Sequence, residues 1–295
     1  MTPSTIQASP NGPVAAGPFG GPLDALAPAD MAKRAETVGV AKTGLDAVTT
    51  FALAVVAGAF IAIGAAFATN TLAGTSGVPY GVARLLGGLA FSLGLILVVV
   101  AGAELFTGNN LIVMAWAGRR VSTVRLLRNW AIVYAGNFVG AIATAGLVFA
   151  ARQYAFGKGE VGVTALSIGA TKTSFGFGQA IALGMLCNAL VCIAVWLCYS
   201  ARTTTDKILA IVPPITAFVA AGFEHSIANM YFVPFALLVK TDRAFVSAHP
   251  AGDLSSLTWS RFLTASLIPV TIGNVIGGSL MVGAIYWFVY LRKRP

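Results

Sequence analysis

Long stretches without charged residues dominate the chain. Residues 47–83, 129–151, 173–201 and 262–291 contain no Asp, Glu, Lys or Arg. Each is long enough to cross a hydrocarbon core, which takes about 20 apolar residues. With two further apolar stretches between them, the pattern predicts six membrane passages, at residues 48–70, 85–117, 130–150, 177–199, 208–239 and 263–290.

The second and fifth predicted passages are too long, and each contains an interruption near its middle. Residues 102–109 (GAELFTGN) and 222–229 (GFEHSIAN) share Gly, Glu and Asn at the same spacing. One passage later, residues 136–141 (GNFVGA) and 273–278 (GNVIGG) share a Gly-Asn pair and a second glycine. The chain therefore divides into two halves of three passages, and because three is odd, the halves form an inverted repeat.

These patterns predict an all-α integral membrane fold with six transmembrane helices in an inverted 3+3 repeat, helices 2 and 5 broken, in an aquaporin-like arrangement. Broken backbone at the bilayer midplane is tolerated only where it lines a cavity or is buried in protein. The two interruptions are therefore predicted to line the pore. The glycine pairs Gly136/Gly140 and Gly273/Gly277 predict close backbone packing of passages three and six.

The sequence predicts four segments. Residues 1–29, rich in Pro, Gly and Ala, have the composition of a disordered tail. Residues 30–46 match an amphipathic helix at the membrane surface. Residues 47–291 form the six-helix channel domain, and residues 292–295 form a short basic tail.

Composition and charge support a membrane protein and argue against a nucleic-acid partner. The chain is 57% hydrophobic and only 10% charged, whereas soluble domains carry about 25% charged residues. The net charge is +9, but the basic residues occupy short loops and form no single patch. Twelve of the 19 Lys and Arg residues fall on the side of the N-terminus. Positive loops stay inside, so both termini are predicted to be cytoplasmic.

His225 is the leading candidate for chemistry because it falls inside the second interruption. An ionisable group within a membrane is expensive and marks a functional site by default. Thr107 adds a hydroxyl in the first interruption. The half-helices that restart after each interruption direct free amides and positive dipole ends into the cavity, which favours an anion. A neutral histidine bonded to a backbone carbonyl, and a threonine that only caps a helix, are the structural alternatives.

Four polar residues flank the interruptions symmetrically: Glu104, Asn109, Glu224 and Asn229. A carboxylate on an anion path would repel the substrate, so we expect these residues to be structural and to cap freed amides. Glu224 has the alternative role of tuning His225. Lys172, just before passage four, either steers anions into the mouth or anchors its helix at the headgroups.

Catalytic and metal-binding motifs are absent from the sequence. It contains no G-x-S-x-G, P-loop, H-E-x-x-H or Cys-x-x-Cys pattern, and its three cysteines lie in one apolar passage at spacings that do not converge. The sequence therefore predicts a protein that is not an enzyme and that uses no cofactor and no metal. The Asn-Pro-Ala tripeptide of aquaporins is also absent.

Five ordered motifs carry a family resemblance: GAELFTGNN, GNFVGA, CNALVCIAVW, GFEHSIANM and IPVTIGNVIGG. Through them the chain resembles the formate/nitrite transporter family, closest to the bacterial formate channels, from about residue 30 to residue 291. The resemblance implies a homopentamer in the bacterial inner membrane, with one substrate pore in each protomer. It also implies that the helix at residues 30–46 gates the cytoplasmic mouth.

The resemblance further assigns site residues. His225 is implied as the pore histidine, Thr107 as its polar companion, Lys172 as the cation that favours anions, and Asn188 as a polar pore residue. The implied hydrophobic constrictions are Phe91 with Phe218, and Leu95, Leu105 and Phe106 with Val191.

The predicted function is movement of formate or a similar small monovalent weak-acid anion. An anion drawn in by Lys172 would take a proton near His225 and cross the constrictions as the neutral acid, because a bare anion loses its hydration there. The overall match to the formate channels, which includes the long loop between Lys240 and Arg261, favours formate. A nitrite or hydrosulfide channel of the same family is the main alternative. A neutral-solute channel and a membrane anchor for a cytoplasmic partner are the others.

Overall fold

Every regular element that the computed structural model describes, over residues 25–292, is a helix. Residues 1–24 of the predicted tail and residues 293–295 of the predicted basic tail lie outside this range. The helices are α1 (Pro28–Gly44), α2 (Ala47–Leu72), α3 (Tyr80–Ala101), α4 (Phe106–Asn109), α5 (Val113–Ala117), α6 (Thr123–Ala150), α7 (Glu160–Ser174), α8 (Phe177–Ser200), α9 (Thr204–Ala220), α10 (Ser226–Thr241), α11 (Arg243–Ala248) and α12 (Trp259–Tyr290). Short 3₁₀ turns lie at Asn110–Ile112, Gln153–Ala155 and Gly157–Gly159, and α12 contains π-helical stretches at Phe262–Leu267 and Ile276–Ala284.

The predicted six-passage, all-α fold is confirmed. Helices α2, α3, α6, α8 and α12 are each long and apolar enough to span a membrane, and the fifth passage is shared between α9 and the apolar helix α10. Passage three begins at Thr123 rather than at residue 130. Its start is fixed by Ser122, whose side chain accepts a hydrogen bond from the amide of Arg125. The exposed Arg125 and Arg128 of its first two turns precede the apolar part, so the charge-free run in the sequence begins only at residue 129.

Helix α1 covers most of the predicted amphipathic segment and packs on the channel body. Its buried face contains Met31, Ala32 and Ala35, which pack in a cluster with Leu111 and Trp196. Helix α7, which was not predicted from the sequence, is the corresponding element before passage four. Both short helices lead directly into a long membrane helix, and their positions matter for the site below.

Both predicted interruptions are confirmed as breaks in the helices. Helix α3 ends at Ala101 and helix α9 at Ala220, and each is followed by a glycine with positive φ, +81° at Gly102 and +75° at Gly222. This left-handed conformation is open to glycine at little cost. The chain then runs without helical bonds until α4 and α10 begin, so each break frees several backbone groups within the membrane.

Asn137 satisfies the backbone groups freed by the first break. Its side-chain oxygen accepts from the amide of Phe106 at 2.9 Å, and its side-chain nitrogen donates to the carbonyls of Ala54 at 2.7 Å and Glu104 at 2.9 Å. One buried amide therefore joins passages one and three to the broken passage two. This is the asparagine of the repeated Gly-Asn motif.

Asn274 does the same for the second break. It accepts from the amide of Ser226 at 2.9 Å and donates to the carbonyls of Gly184 at 2.8 Å and Glu224 at 2.9 Å. The prediction that the flanking glutamates cap the freed amides is wrong, because the amides of Phe106 and Ser226 donate to these two asparagines instead. Each half of the repeat thus carries the same three-way junction.

The repeated glycines bring helices into backbone contact, but not passages three and six with each other. A Cβ atom added at Gly140 in α6 would overlap the carbonyl oxygen of Val55 in α2, and one added at Gly277 in α12 would overlap that of Met185 in α8. Passage three therefore packs on passage one, and passage six on passage four. This close approach holds the helices that carry Asn137 and Asn274 against the breaks.

Substitution of Gly140 tests this packing against a matched position in the same helix. We expect Gly140→Ala to lower the free energy of unfolding by about 1–3 kcal/mol, because the added methyl group meets backbone that cannot move aside. Gly146 is the control, because a methyl group added there would meet no other atom within 4 Å. Gly146→Ala should be neutral or stabilise by up to about 1 kcal/mol. Thermal unfolding in detergent measures both, and equal effects would contradict the packing.

Candidate functional site

Two cavities enter the protein from opposite ends and approach each other at the breaks. The first, the Lys42 vestibule, has a volume of about 330 Å³ and is lined by residues that include Lys42, Leu95 and Leu105. The second, the Lys172 vestibule, has a volume of about 520 Å³ and is lined by residues that include Lys172 and His225. Both broken helices contribute to these walls. The breaks therefore meet the pore as the sequence predicted.

A very small space, the central gap, lies between the vestibules. Its volume is only about 10 Å³, and its lining is apolar except for one imidazole: Ile61, Phe91, Leu95, Leu105, Val191, Ile215, Phe218 and His225. A single water molecule needs about 10–15 Å³. The gap therefore holds at most about one water molecule. It is too small for formate, which passes only when the lining side chains move.

Five of the six predicted constriction residues line the central gap, namely Phe91, Leu95, Leu105, Val191 and Phe218. The rings of Phe91 and Phe218 meet edge to face with centroids 5.5 Å apart and also line the Lys172 vestibule. Leu95 and Leu105 also line the Lys42 vestibule. The gap thus has an aromatic end and an aliphatic end.

Phe106 does not line the gap, which corrects the prediction for this residue. Its ring packs edge to face on Tyr134, with centroids 4.9 Å apart, and lies near Trp130. Leu105 has an extended backbone, so the neighbouring side chain of Phe106 points away from the pore and towards α6. Ile61 and Ile215 were missed, because nothing distinguishes them from other apolar helix residues in the sequence.

His225 is buried at the junction of the Lys172 vestibule and the central gap. Its Nδ1 accepts a hydrogen bond from the amide of Ala228 at 3.1 Å, which makes it the N-cap of α10. A neutral imidazole whose Nδ1 accepts carries its proton on Nε2. That nitrogen lies 2.8 Å from Oγ1 of Thr107, so the two breaks are joined by a hydrogen bond between the predicted pair.

Thr107 and Asn188 lie behind the pore wall, and neither lines one of the described cavities. Asn188 donates to the carbonyl of Asn274 at 2.6 Å, to Oδ1 of Asn110 at 2.7 Å and to the carbonyl of Thr107 at 3.3 Å. The side-chain NH2 group of Asn188 therefore has both of its hydrogen atoms engaged within the protein. The expected pore role of Asn188 is therefore corrected to one of positioning the first break.

Lys172 is paired, which changes the role expected for it. Its ammonium group lies 2.8 Å from Oε1 of Glu224 and 5.2 Å from the ring centroid of Phe232. The other oxygen of Glu224 accepts from Asn229 at 2.7 Å. The lysine is thus neither a headgroup anchor nor an isolated cation. Glu224 makes its contacts with these side chains and not with freed amides.

The Lys42 vestibule repeats this arrangement with residues from the first half. Lys42 lies 2.7 Å from Oε1 of Glu104, and Asn109 donates to Oε2 at 2.7 Å. Lys42 was not among the residues predicted from the sequence. A signal was available, because Gly39-x-x-Lys42-Thr43 in α1 matches Gly-x-x-Lys-Thr at residues 169–173 in α7. The inverted repeat therefore includes α1 and α7 in addition to the membrane passages.

Comparisons with known proteins agree with this geometry. The family model described as "Formate/nitrite transporter" matches residues 29–288. The formate channel FocA of Escherichia coli (strain K12) is 45% identical over 276 residues, with 92% of this chain and 97% of the relative covered. The formate channel FocA of Haemophilus influenzae is 38% identical over 264 residues, with 88% and 93% covered.

Two solved structures share the fold. One, described as a pentameric formate channel with formate bound, superimposes with a TM-score of 0.79 at 45% identity and covers 83% of this chain and 98% of its own. Another, described as an FNT family ion channel, has a TM-score of 0.74 at 25% identity and covers 88% of this chain and 98% of its own. The resemblance drawn from the sequence motifs is confirmed, and the chain belongs to the formate/nitrite transporter family.

Proposed function

We propose that this protein is a channel that moves formate, or a similar small monovalent weak-acid anion, across a bacterial inner membrane. The observation that carries the proposal is the pair of vestibules, each with a lysine, that meet at a closed apolar gap containing His225. The relatives named as formate channels support the same conclusion. Their names also support transport rather than catalysis.

The vestibules favour anions and the gap opposes them. Cationic side chains in a partly desolvated cleft raise the local concentration of small anions. An anion that enters the gap loses its hydration shell, and the apolar lining provides no hydrogen bonds to replace it. The neutral acid loses far less on entering. Permeation therefore requires that the anion takes a proton at the end of the vestibule and releases it on the other side.

His225 assists this step as a hydrogen-bond donor. With Nδ1 occupied by the amide of Ala228, the neutral ring has a single proton, on Nε2. Loss of that proton would leave an imidazolate, so we infer that the transferred proton reaches the anion through vestibule water. The Nε2–H group turns from Thr107 to the substrate when the gap opens. Thr107 then holds the ring in place between successive substrates.

We propose that the protein assembles as a homopentamer with one pore in each protomer. The related structure at 45% identity is described as pentameric, and this supports the assignment. Both termini are proposed to be cytoplasmic, because the loops on that side carry most of the Lys and Arg residues. The Lys42 vestibule then faces the cytoplasm, and α1, which supplies Lys42, is in position to gate it.

Alternative substrates fit within the same mechanism. Nitrite and hydrosulfide are also small conjugate bases of weak acids, and the residues of the gap do not separate them from formate. A neutral-solute channel is less well supported, because each vestibule carries more cationic than anionic side chains. An excess of positive charge attracts anions but does not concentrate uncharged solutes.

Flux into liposomes containing the purified protein tests the function. We expect formate flux to rise from about pH 7 to about pH 5, because the neutral fraction of a weak acid grows about tenfold for each pH unit of acidification above its pKa. Formate and nitrite should pass faster than acetate and lactate through the narrow gap. Protein-free liposomes provide the background. Glycerol-driven swelling with no anion flux would instead identify a neutral-solute channel.

His225→Asn tests the role of the imidazole without removing the helix cap. Asparagine is a favourable N-cap residue, so α10 should remain folded and thermal stability should change by less than about 1 kcal/mol. The shorter side chain cannot present a donor at the gap, and we expect formate flux to fall about 10- to 100-fold. Thr107→Ser, which keeps the hydroxyl, is the matched control. A wild-type rate and pH profile in His225→Asn would rule out the mechanism.

A further inference from the structure

Arg84, near the start of α3, makes a contact that the transport mechanism above does not use. Its guanidinium group donates from Nε to the carbonyl of Ala220 at 3.4 Å and from a terminal nitrogen to the carbonyl of Val219. These are the last carbonyls of α9, directly before the second break. Arg84 also lines the Lys172 vestibule.

The last carbonyls of α9 carry the negative end of a helix dipole, equivalent to about half an elementary charge. They face a cavity that an anion has to enter. The first residues of α10 supply a positive end of similar size, which about offsets them. The two half-helices therefore leave the Lys172 vestibule with no net charge from the backbone.

The side chains decide the sign of the field in this vestibule. Three charged side chains line it, Arg84, Lys172 and Glu224. Lys172 and Glu224 lie 2.8 Å apart as a buried ion pair, so their long-range fields offset each other. Arg84 is the remaining charge. The opposite vestibule is less dependent on any one residue, because Arg34 and Lys207 line it together with the pair of Lys42 and Glu104.

We propose that Arg84 is a specificity-determining residue that makes the Lys172 vestibule selective for anions and that also holds the end of α9. The inference rests on the proposed transport of anions. Lys172 acts as a local hydrogen-bond donor, while Arg84 supplies the net positive charge that draws anions from solution. The same contact holds the end of α9 at Val219, the residue that follows Phe218 of the gap lining.

Arg84→Gln separates the charge from the hydrogen bonds, because glutamine keeps donors for the α9 carbonyls. In sealed vesicles with the Lys172 vestibule facing the medium, we expect the KM for external formate to rise on the order of tenfold. We also expect added salt to raise the wild-type KM and to have little effect on the variant, since screening acts on the removed charge. Arg84→Lys, which keeps the charge, should stay within about threefold of the wild type.

Lys240→Gln is the matched control. Lys240 is a partly buried cation at the same end of the molecule and donates to the carbonyls of Leu254 and Leu257, both at 2.8 Å, but it does not line the vestibule. Lys240→Gln removes one positive charge, as Arg84→Gln does. It should leave the KM for formate and the salt dependence of that KM unchanged. An equal effect of both glutamine substitutions would overturn the assignment.

A second variant covers the case in which Arg84→Gln does not fold. Gln179 also lines the Lys172 vestibule, and Gln179→Glu adds an opposing charge while Arg84 stays in place. It should raise the KM for formate by a similar factor. An unchanged KM in Gln179→Glu or in folded Arg84→Gln would refute the proposal, as would an Arg84→Lys variant as impaired as Arg84→Gln. A wild-type protein that carries no formate would instead refute the transport function.

Discussion

The structure depends on two side-chain amides that replace helix hydrogen bonds inside the membrane. Asn137 and Asn274 each accept from a freed amide and donate to two carbonyls, one on a neighbouring helix and one in the break. Lipid offers no partners for such groups, and each one left unsatisfied costs several kcal/mol. Because the protein supplies these partners itself, the breaks need no bulk water. This permits a tight, apolar constriction directly beside unwound backbone.

Charge is distributed so that the scaffold is nearly neutral where it is buried. Each break is flanked by a glutamate whose two carboxylate oxygens are bound by a lysine and by an asparagine. A buried carboxylate without such partners would be strongly destabilising. The attraction of anions is thereby separated from the stability of the breaks. In the proposed mechanism, anions are attracted by cations outside these pairs, and the barrier is formed by apolar side chains at the gap.

Much of this architecture could be predicted from the sequence, because membrane passages leave long runs without charge. The breaks were also predictable, since Gly, Glu and Asn recur at the same spacing in residues 102–109 and 222–229. Side-chain direction within a break was not. Leu105 and Phe106 are adjacent and similar in polarity, and only the extended backbone at Leu105 sends one side chain towards the pore and the other towards α6.

Polar residues posed a related difficulty. A lone asparagine in an apolar helix indicates an interior position, but not which interior neighbours it meets, and Asn188 binds backbone instead of lining the pore. The partner of Glu104 is Lys42, which is 62 residues earlier in the chain. The repeat, which includes α1 and α7, gives the two mouths matching parts in opposite orientation. A solute that enters from either compartment therefore meets the same lysine, glutamate and asparagine set before it reaches the apolar gap.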